Sequence, residues 1–549
     1  MDKILVRNND RISLNLVPLI FIALFLFLPV STILIRGFSF GRILGLLGNT
    51  YYRKIIYFTL LQAAVSTFFA MLIGLPGAYL TACYDFPGKK ILRVLTTIPF
   101  VLPSILVVLG FVLVFGNNGF FNRILISIFN LKTPPLKILY NFNAIIMAHC
   151  FYNFPICIRI TASVWEKISP STIRAARNLG AKKGRVFFTV ILPQILPGIA
   201  AAASLIFLFC FMSFSIILVL GGGPEFTTME VEIYKLTKIS LDLDKGCSLA
   251  VIQSVISFLL VFSYIYFERK TSLNKGAGFE KKNLINQFSV LAKLMAGIYF
   301  VFVVVIIITP LVFIVLRSFQ ARTGWSGKIG FSLKWYLSII KNHKRFLSPI
   351  LNSLFFAAAT ALFSVPLGTI IAYTGYRYKP ESMKSRFFEA FLMMPMGFSS
   401  IILGLGYINL MHLLPFDINK RFLIVCVHVL IAYPFVIKST GAVFSKIAPD
   451  INRAASSLGA SRRRIFFTVE LPLIKSGLIS GAIFVSAISM GEFSATLLLA
   501  PNNLSTIPIV MYRLINSYNF FGACALGTIL MLLCSAGFIL FDKLDGLAE

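Results

Sequence analysis

Glu492 sits well inside an apolar stretch, ISMGEFSATLLLA, within a segment long enough to cross a bilayer. Ionisable groups are costly in hydrocarbon, so a carboxylate there raises a functional hypothesis by default. It could attract a cationic solute. The alternative is a buried acid, neutral or hydrogen-bonded between helices, holding a break beside Gly491. Its counterpart 279 positions earlier is Ser213, in CFMSFSIILVL. The same offset pairs His149 with His428, each six residues before a proline, Pro155 and Pro434. Two imidazoles facing each other could gate a path or hold a metal. Most metal sites need three or four ligands, so a hydrogen bond between helices is the simpler use of each histidine. Glu492, Ser213, His149 and His428 are thus the substrate-path candidates, and no metal site is expected.

Other chemistry is sparse. The eight cysteines are scattered without a CxxC pair, a spacing that supports neither a zinc site nor a disulfide framework. No GxxxxGK[ST] phosphate loop and no nucleophile–base pair occurs, so catalysis by this chain and a bound cofactor are not expected. Gly477 and Gly481 form a GxxxG suited to close helix packing.

The elements that must position these residues are membrane spans. Only 13% of the residues are charged, about half the share of a soluble domain. Apolar runs recur at about 15–36, 55–83, 92–115, 140–162, 195–220 and 247–267, then at about 291–316, 349–376, 387–413, 421–441, 475–500 and 522–541. Each is near the roughly 20 residues that cross the hydrocarbon as a helix. The first is too long for a signal-peptide core and reads as a retained span. The net charge of +31 lies mostly in short loops between spans, which points to lipid headgroups and orientation rather than nucleic acid.

The expected fold is an all-α membrane protein of about twelve spans in two six-helix repeats. Residues 1–267 form the first module, 268–290 a polar cytoplasmic linker, and 291–549 the second module. FTLLQAAVSTFFAMLIGLPGAYL (Phe58–Leu80) parallels NSLFFAAATALFSVPLGTIIAYT (Asn352–Thr374) at an offset of 294, so the first half carries about fifteen extra residues in the loop 117–137. Six spans per half make the repeat parallel. The bias of Lys and Arg places the N-terminus in the cytoplasm. One external loop, Arg317 to Arg345, runs against that bias with seven basic residues.

The repeat is sharpest in two polar loops. IRAARNLGAKKGRVFFTVILP (Ile173–Pro193) returns as NRAASSLGASRRRIFFTVELP (Asn452–Pro472), with 13 of 21 positions identical. Ser169 suits an N-cap, Pro170 the first helical position and Gly180 a left-handed residue after the last turn, which predicts a helix over Pro170–Leu179. Pro449, Asp450 and Gly459 punctuate the second copy. The spacing gathers Ile168, Ala175, Ala176 and Leu179 on one side with Arg174 and Arg177 beside them, and repeats this with Ile447, Ile451, Ala454, Ala455 and Leu458. Helices this short are unstable alone in water and need a surface to pack on. A basic helix lying on lipid is one reading. Two equivalent copies favour docking to a two-fold partner.

The pattern A-A-x-x-L-G-A with a closing L-P resembles the cytoplasmic "EAA" loop of bacterial ABC importer permeases, whose short helix sits in a cleft of each ATP-hydrolysing subunit. The matching residues are Ala175, Ala176, Gly180, Leu192 and Pro193, and Ala454, Ala455, Gly459, Leu471 and Pro472. The usual acidic position holds Arg174 in one copy and Arg453 in the other. The resemblance covers nearly the whole chain as two fused modules, like the ferric-iron and thiamine branch. LVLGGGPEFTTMEVEIYKL (Leu218–Leu236) looks most like a loop of thiamine permeases. The resemblance implies the ABC importer permease fold in the bacterial inner membrane. It further implies a cytoplasmic ABC ATPase homodimer docked at Arg174, Ala175, Ala176, Leu179, Gly180, Arg453, Ala454, Ala455, Leu458 and Gly459. An external substrate-binding protein would deliver thiamine or its phosphates, or ferric iron. An ion-coupled secondary transporter is the reading of another class, and ATP dependence discriminates it.

Overall fold

The computed structural model describes residues 16–221, 223–272, 282–283, 290–323, 328–377 and 391–545. In chain order the helices used below are α1 (Leu16–Gly37), α2 (Phe40–Gly48), α3 (Thr50–Cys83), α4 (Ser104–Phe115), α5 (Phe142–Trp165), α6 (Pro170–Asn178), α7 (Leu192–Phe211), α8 (Ser215–Leu220), α9 (Met229–Lys238) and α10 (Leu243–Ser272). They continue as α11 (Val290–Ser318), α12 (Lys334–Lys341), α13 (Ser348–Arg377), α14 (Ser400–Leu413), α15 (Lys420–Phe444), α16 (Pro449–Ser457), α17 (Lys475–Gly491), α18 (Ser494–Leu499), α19 (Ile507–Asn516) and α20 (Phe520–Asp545).

Among the described residues ten helices are long and apolar enough to cross a membrane, and the segment 463–491 adds an eleventh, bent by 68°. Helical segments stand at all twelve expected positions. The ninth is short: α14 has 14 residues, about 21 Å at 1.5 Å per residue, against roughly 30 Å of hydrocarbon. Part of that expected span, 387–390, lies outside the described residues. The third is broken, with helical pieces at Lys89–Leu95 and Ile98–Val101 before α4 restarts after Pro103. Proline removes a helical hydrogen bond and ends the preceding turn. The extra loop of the first half contains its own helix, Phe120–Phe129. Asn122, the buried residue of that helix, bonds Gly116 and Leu136.

The chain forms two compact units, and their content differs from the two sequence modules. One holds residues 39–319 and the other 1–38 with 320–549. In the first unit α3, α5 and α7 pack mutually, α10 lies on α7, and α11 lies on α4. In the second, α13, α15 and α17 pack mutually, α20 lies on α17, and α1 lies on α14. The first span of each half therefore belongs to the unit built from the other half. Periodicity could not reveal this, because helices apolar on every side do not encode their neighbours.

Both exchanged spans seat on a glycine. A Cβ at Gly110 would lie 2.7 Å from Cβ of Pro310, and one at Gly406 would lie 2.8 Å from the Pro29 carbonyl oxygen. Hydrogen bonds complete the second seat: Tyr407 Oη donates to the Phe25 carbonyl at 2.7 Å, Thr32 Oγ1 to Gly406 at 3.2 Å and Arg36 to Asn409 at 3.2 Å. In the other unit Tyr299 Oη donates to Ile73 of α3 at 3.0 Å. The GxxxG also packs closely. A Cβ at Gly477 or Gly481 would meet α15 at 3.0 and 2.7 Å.

Little strand is present. β1 (Tyr84–Asp85) pairs in parallel with β2 (Lys282–Asn283), and β3 (Gln320–Thr323) pairs antiparallel with β4 (Lys328–Phe331). The first pair ties part of the central linker to the loop after α3. The eight cysteines are all buried, as their apolar surroundings imply.

Candidate functional site

The two repeated loops fold alike. α6 and α16 each start on a proline and run nine residues. Gly180 and Gly459 then turn left-handed, at φ +82° and +79°. The turn closes as a Schellman cap: Ala181 N donates to the Ala176 carbonyl and Gly180 N to Arg177, while Ala460 N donates to Ala455 and Gly459 N to Ser456, all at 2.9–3.1 Å. Ser169 is at the N-cap position, but its hydroxyl meets Ser171 Oγ at 2.6 Å and caps no backbone N–H.

The expected apolar face divides. Ile168, Ile173 and the half-buried Ala176 pack inward with Trp165, Val186 and Ile195 at the feet of α5 and α7. Ala175 and Leu179, grouped with them by the sequence spacing, face outward with Arg174, Arg177 and Gly180. The alanines are too small for spacing alone to tell 175 from 176. Leu179 and Leu458 are each 88% exposed, so each loop presents one bare leucine amid basic residues, arginines and lysines in the first copy and arginines alone in the second. In the second copy Arg453, Ala454 and Gly459 are likewise exposed, and Ala455 is half-buried. Arg453 pairs with Asp450 at 3.2 Å. In Phe187–Phe188 and Phe466–Phe467 only the first ring anchors: Phe187 packs tilted on Trp165 and Phe466 meets Tyr373 edge-on, while Phe467 and Phe188 remain exposed.

The copies are held differently. In the first, Ile173 and Ile191 share one apolar cluster. The matched positions in the second are Asn452 and Glu470. There Asn452 Nδ2 donates to the fully buried Glu470 Oε1 at 2.8 Å.

Glu492 lies at the break between α17 and α18, where its carboxylate caps α18. It accepts from Ala495 N at 2.9 Å, Thr496 N at 3.0 Å and Thr496 Oγ1 at 2.6 Å. His428 Nε2 approaches Oε2 at 3.3 Å and Thr496 Oγ1 at 3.0 Å. His428 Nδ1 meets Ser489 Oγ at 2.8 Å, which in turn meets Thr360 Oγ1 at 3.1 Å. These hydrogen bonds join α13, α15, α17 and α18 around the Glu492 carboxyl group.

The other half carries a thinner version. His149 Nδ1 meets Ser66 Oγ at 3.0 Å. Asn153 and Gln62 both bond Cys210, through its Sγ and its carbonyl. Ser213 replaces the carboxylate, and among the described residues His149 Nε2 has no hydrogen-bond partner. Each histidine thus bonds within its own unit. Among the described residues no group of three or more His, Cys, Asp or Glu could hold a metal. Ser66, Thr360, Ser489 and Thr496 are the members that the sequence reading lacked. The offset of 294 pairs Ser66 with Thr360, and 279 pairs Cys210 with Ser489, so matched polar positions were the available signal.

Comparison with known proteins follows this duplication. The family described as "Binding-protein-dependent transport system inner membrane component" matches residues 70–272 and again 364–546. The thiamine transport system permease protein ThiP of Brucella abortus is 24% identical over 90% of this chain and 88% of its own length. That of Haemophilus influenzae is 26% identical over 88% and 87%. A putative 2-aminoethylphosphonate transport system permease protein, PhnU of Salmonella typhimurium, is 29% identical over 45% of this chain and 89% of its own.

Proposed function

Because the chain belongs to the family of inner membrane components of binding-protein-dependent transport systems, matched once in each half, we propose that it imports thiamine or its phosphates with a separate ATPase and a separate binding protein. The duplicated helix with its bare leucine carries the docking part of this reading. A nine-residue helix with an exposed leucine at its C-cap, Leu179 or Leu458, gains by placing that side chain in an apolar cleft, about 2 kcal/mol per leucine. Two copies suit a two-fold ATPase dimer on the cytoplasmic side. α6 shares its apolar cluster with α5 and α7, and α16 is tied to Glu470. A push on either helix is thereby transmitted to the spans. Thiamine as cargo is supported by relatives of that name over nine-tenths of the chain.

The test is uptake into vesicles holding this chain with its ATPase and binding protein, offered labelled thiamine, ferric iron or 2-aminoethylphosphonate. ATP-dependent accumulation of thiamine alone is expected. Accumulation of another solute overturns the cargo, and uptake driven by an ion gradient without ATP overturns the class.

A further inference from the structure

α2 and α12 are a second duplicated element, each placed between the first and second spans of its half. Phe40, Leu44 and Leu47 of α2 are exposed, as are Leu333, Leu337 and Ile340 at the start of and along α12. The two triplets match at a constant offset of 293. At about 100° per residue each triplet forms one stripe about 60° wide. The opposite edge of each helix is attached to protein. Leu46 is buried as α2 lies on α10; Ile339 is buried, and Trp335 rests on Gly522 of α20.

What separates the copies is charge along the helix: the arginine of α2, Arg42, pairs with Asp244 at 3.5 Å, whereas α12 carries a row of lysines. Lys334 and Lys341 lie within about 20° of one another, roughly 90° from the apolar stripe. The matched positions in α2 are Gly41 and Gly48. A basic pair follows each helix, Arg53 and Lys54 after α2 and Lys344 and Arg345 after α12, but residues 317–377 contain no acid. Along α13 the exposed Leu351 and Phe355 continue the apolar surface.

We propose that both helices lie in the membrane interface with their stripes in the acyl region, and that α12 alone gathers anionic lipid. Three faces at three angles account for the residues: protein on one side, hydrocarbon on the second, and phosphate groups at a row of lysines able to snorkel. A protein partner would leave the lysine row without its reason. The same arrangement explains why so basic a loop sits where the overall charge bias opposes it.

The experiment uses the full chain with single nitroxide labels at Leu337→Cys, Ile340→Cys or Lys341→Cys, in vesicles of phosphatidylcholine with or without phosphatidylglycerol. The native cysteines are buried, which favours selective labelling. Labels at 337 and 340 should collide with oxygen and be shielded from a nickel chelate, with the reverse at 341. Nickel access at 337 and 340 means water, and exclusion of both reagents means a covering protein; either result overturns the proposal. For the headgroups, the ratio of phosphatidylglycerol to phosphatidylcholine retained on purification should fall for K334Q/K341Q by up to fivefold per lysine removed, about 1 kcal/mol each. An unchanged ratio overturns the anionic preference. Gly41→Lys with Gly48→Lys should raise the ratio.

Discussion

Removing the Glu492 carboxylate tests whether that group holds the protein together or only waits for cargo. Glu492→Ala leaves two backbone N–H groups of α18 and the Thr496 hydroxyl without their acceptor, and removes the carboxyl oxygen beside His428 Nε2. A lost cap costs about 1 kcal/mol, and each buried donor left unmade about 1–3 kcal/mol. Partial relaxation limits the sum, so about 3–5 kcal/mol is expected. Glu492→Gln keeps one carbonyl oxygen for the cap but turns an NH2 group toward other donors, and should cost about half as much. Ser213→Ala, the matched change in the other half, should cost under about 0.5 kcal/mol. The assay is thermal unfolding of purified protein alongside transport by the reconstituted complex. The expected order of stability is wild type equal to S213A, then E492Q, then E492A. An E492A protein as stable as wild type that fails to transport would refute the capping argument and restore the carboxylate as a cargo site.

Three further outcomes follow from other parts of the structure. Gly406→Leu or Gly110→Leu should lower the unfolding temperature through an overpacking cost of about 1–3 kcal/mol, whereas Gly297→Leu, whose Cβ meets nothing within 4 Å, should not. Leu179→Asp with Leu458→Asp should leave unfolding unchanged, since both side chains are exposed, but weaken ATPase binding at least tenfold in a pull-down titration; a drop in stability would show they are buried instead. Asn452→Ile and Glu470→Ile should each destabilise the loop by about 1–3 kcal/mol, while the double variant, which copies the Ile173–Ile191 arrangement, should recover most of the loss in a double-mutant cycle.

Much of this architecture is legible in the sequence because punctuation and duplication are local signals. Pro170 and Gly180, Pro449 and Gly459 mark α6 and α16 to within a residue. Composition is enough for the membrane class, and offset pairing for the matched histidines. Three features needed coordinates. Ala175 and Ala176 differ in which way they face, and two methyl groups give spacing little to work with. The partner of α1 is hidden because a leucine-rich helix carries no address; it is set by Pro29 on Gly406 and by Tyr407 reaching Phe25. Glu492 admits two roles on paper, and only the donors around it show that its oxygens are occupied.

The exchange of first spans also fixes a timetable for synthesis. Phe25 and Tyr407 are 382 positions apart, and at roughly 5–20 residues per second the ribosome needs about 20–80 s to make the second after the first. For that interval α1 rests in the bilayer as a lone helix with Arg36 near its end, its partner not yet made. A chain halted after α10 would complete neither exchanged pair, since it has α1 without α14 and α4 without α11. The first half therefore stays incomplete until the last third of the chain, which holds α14, has been made.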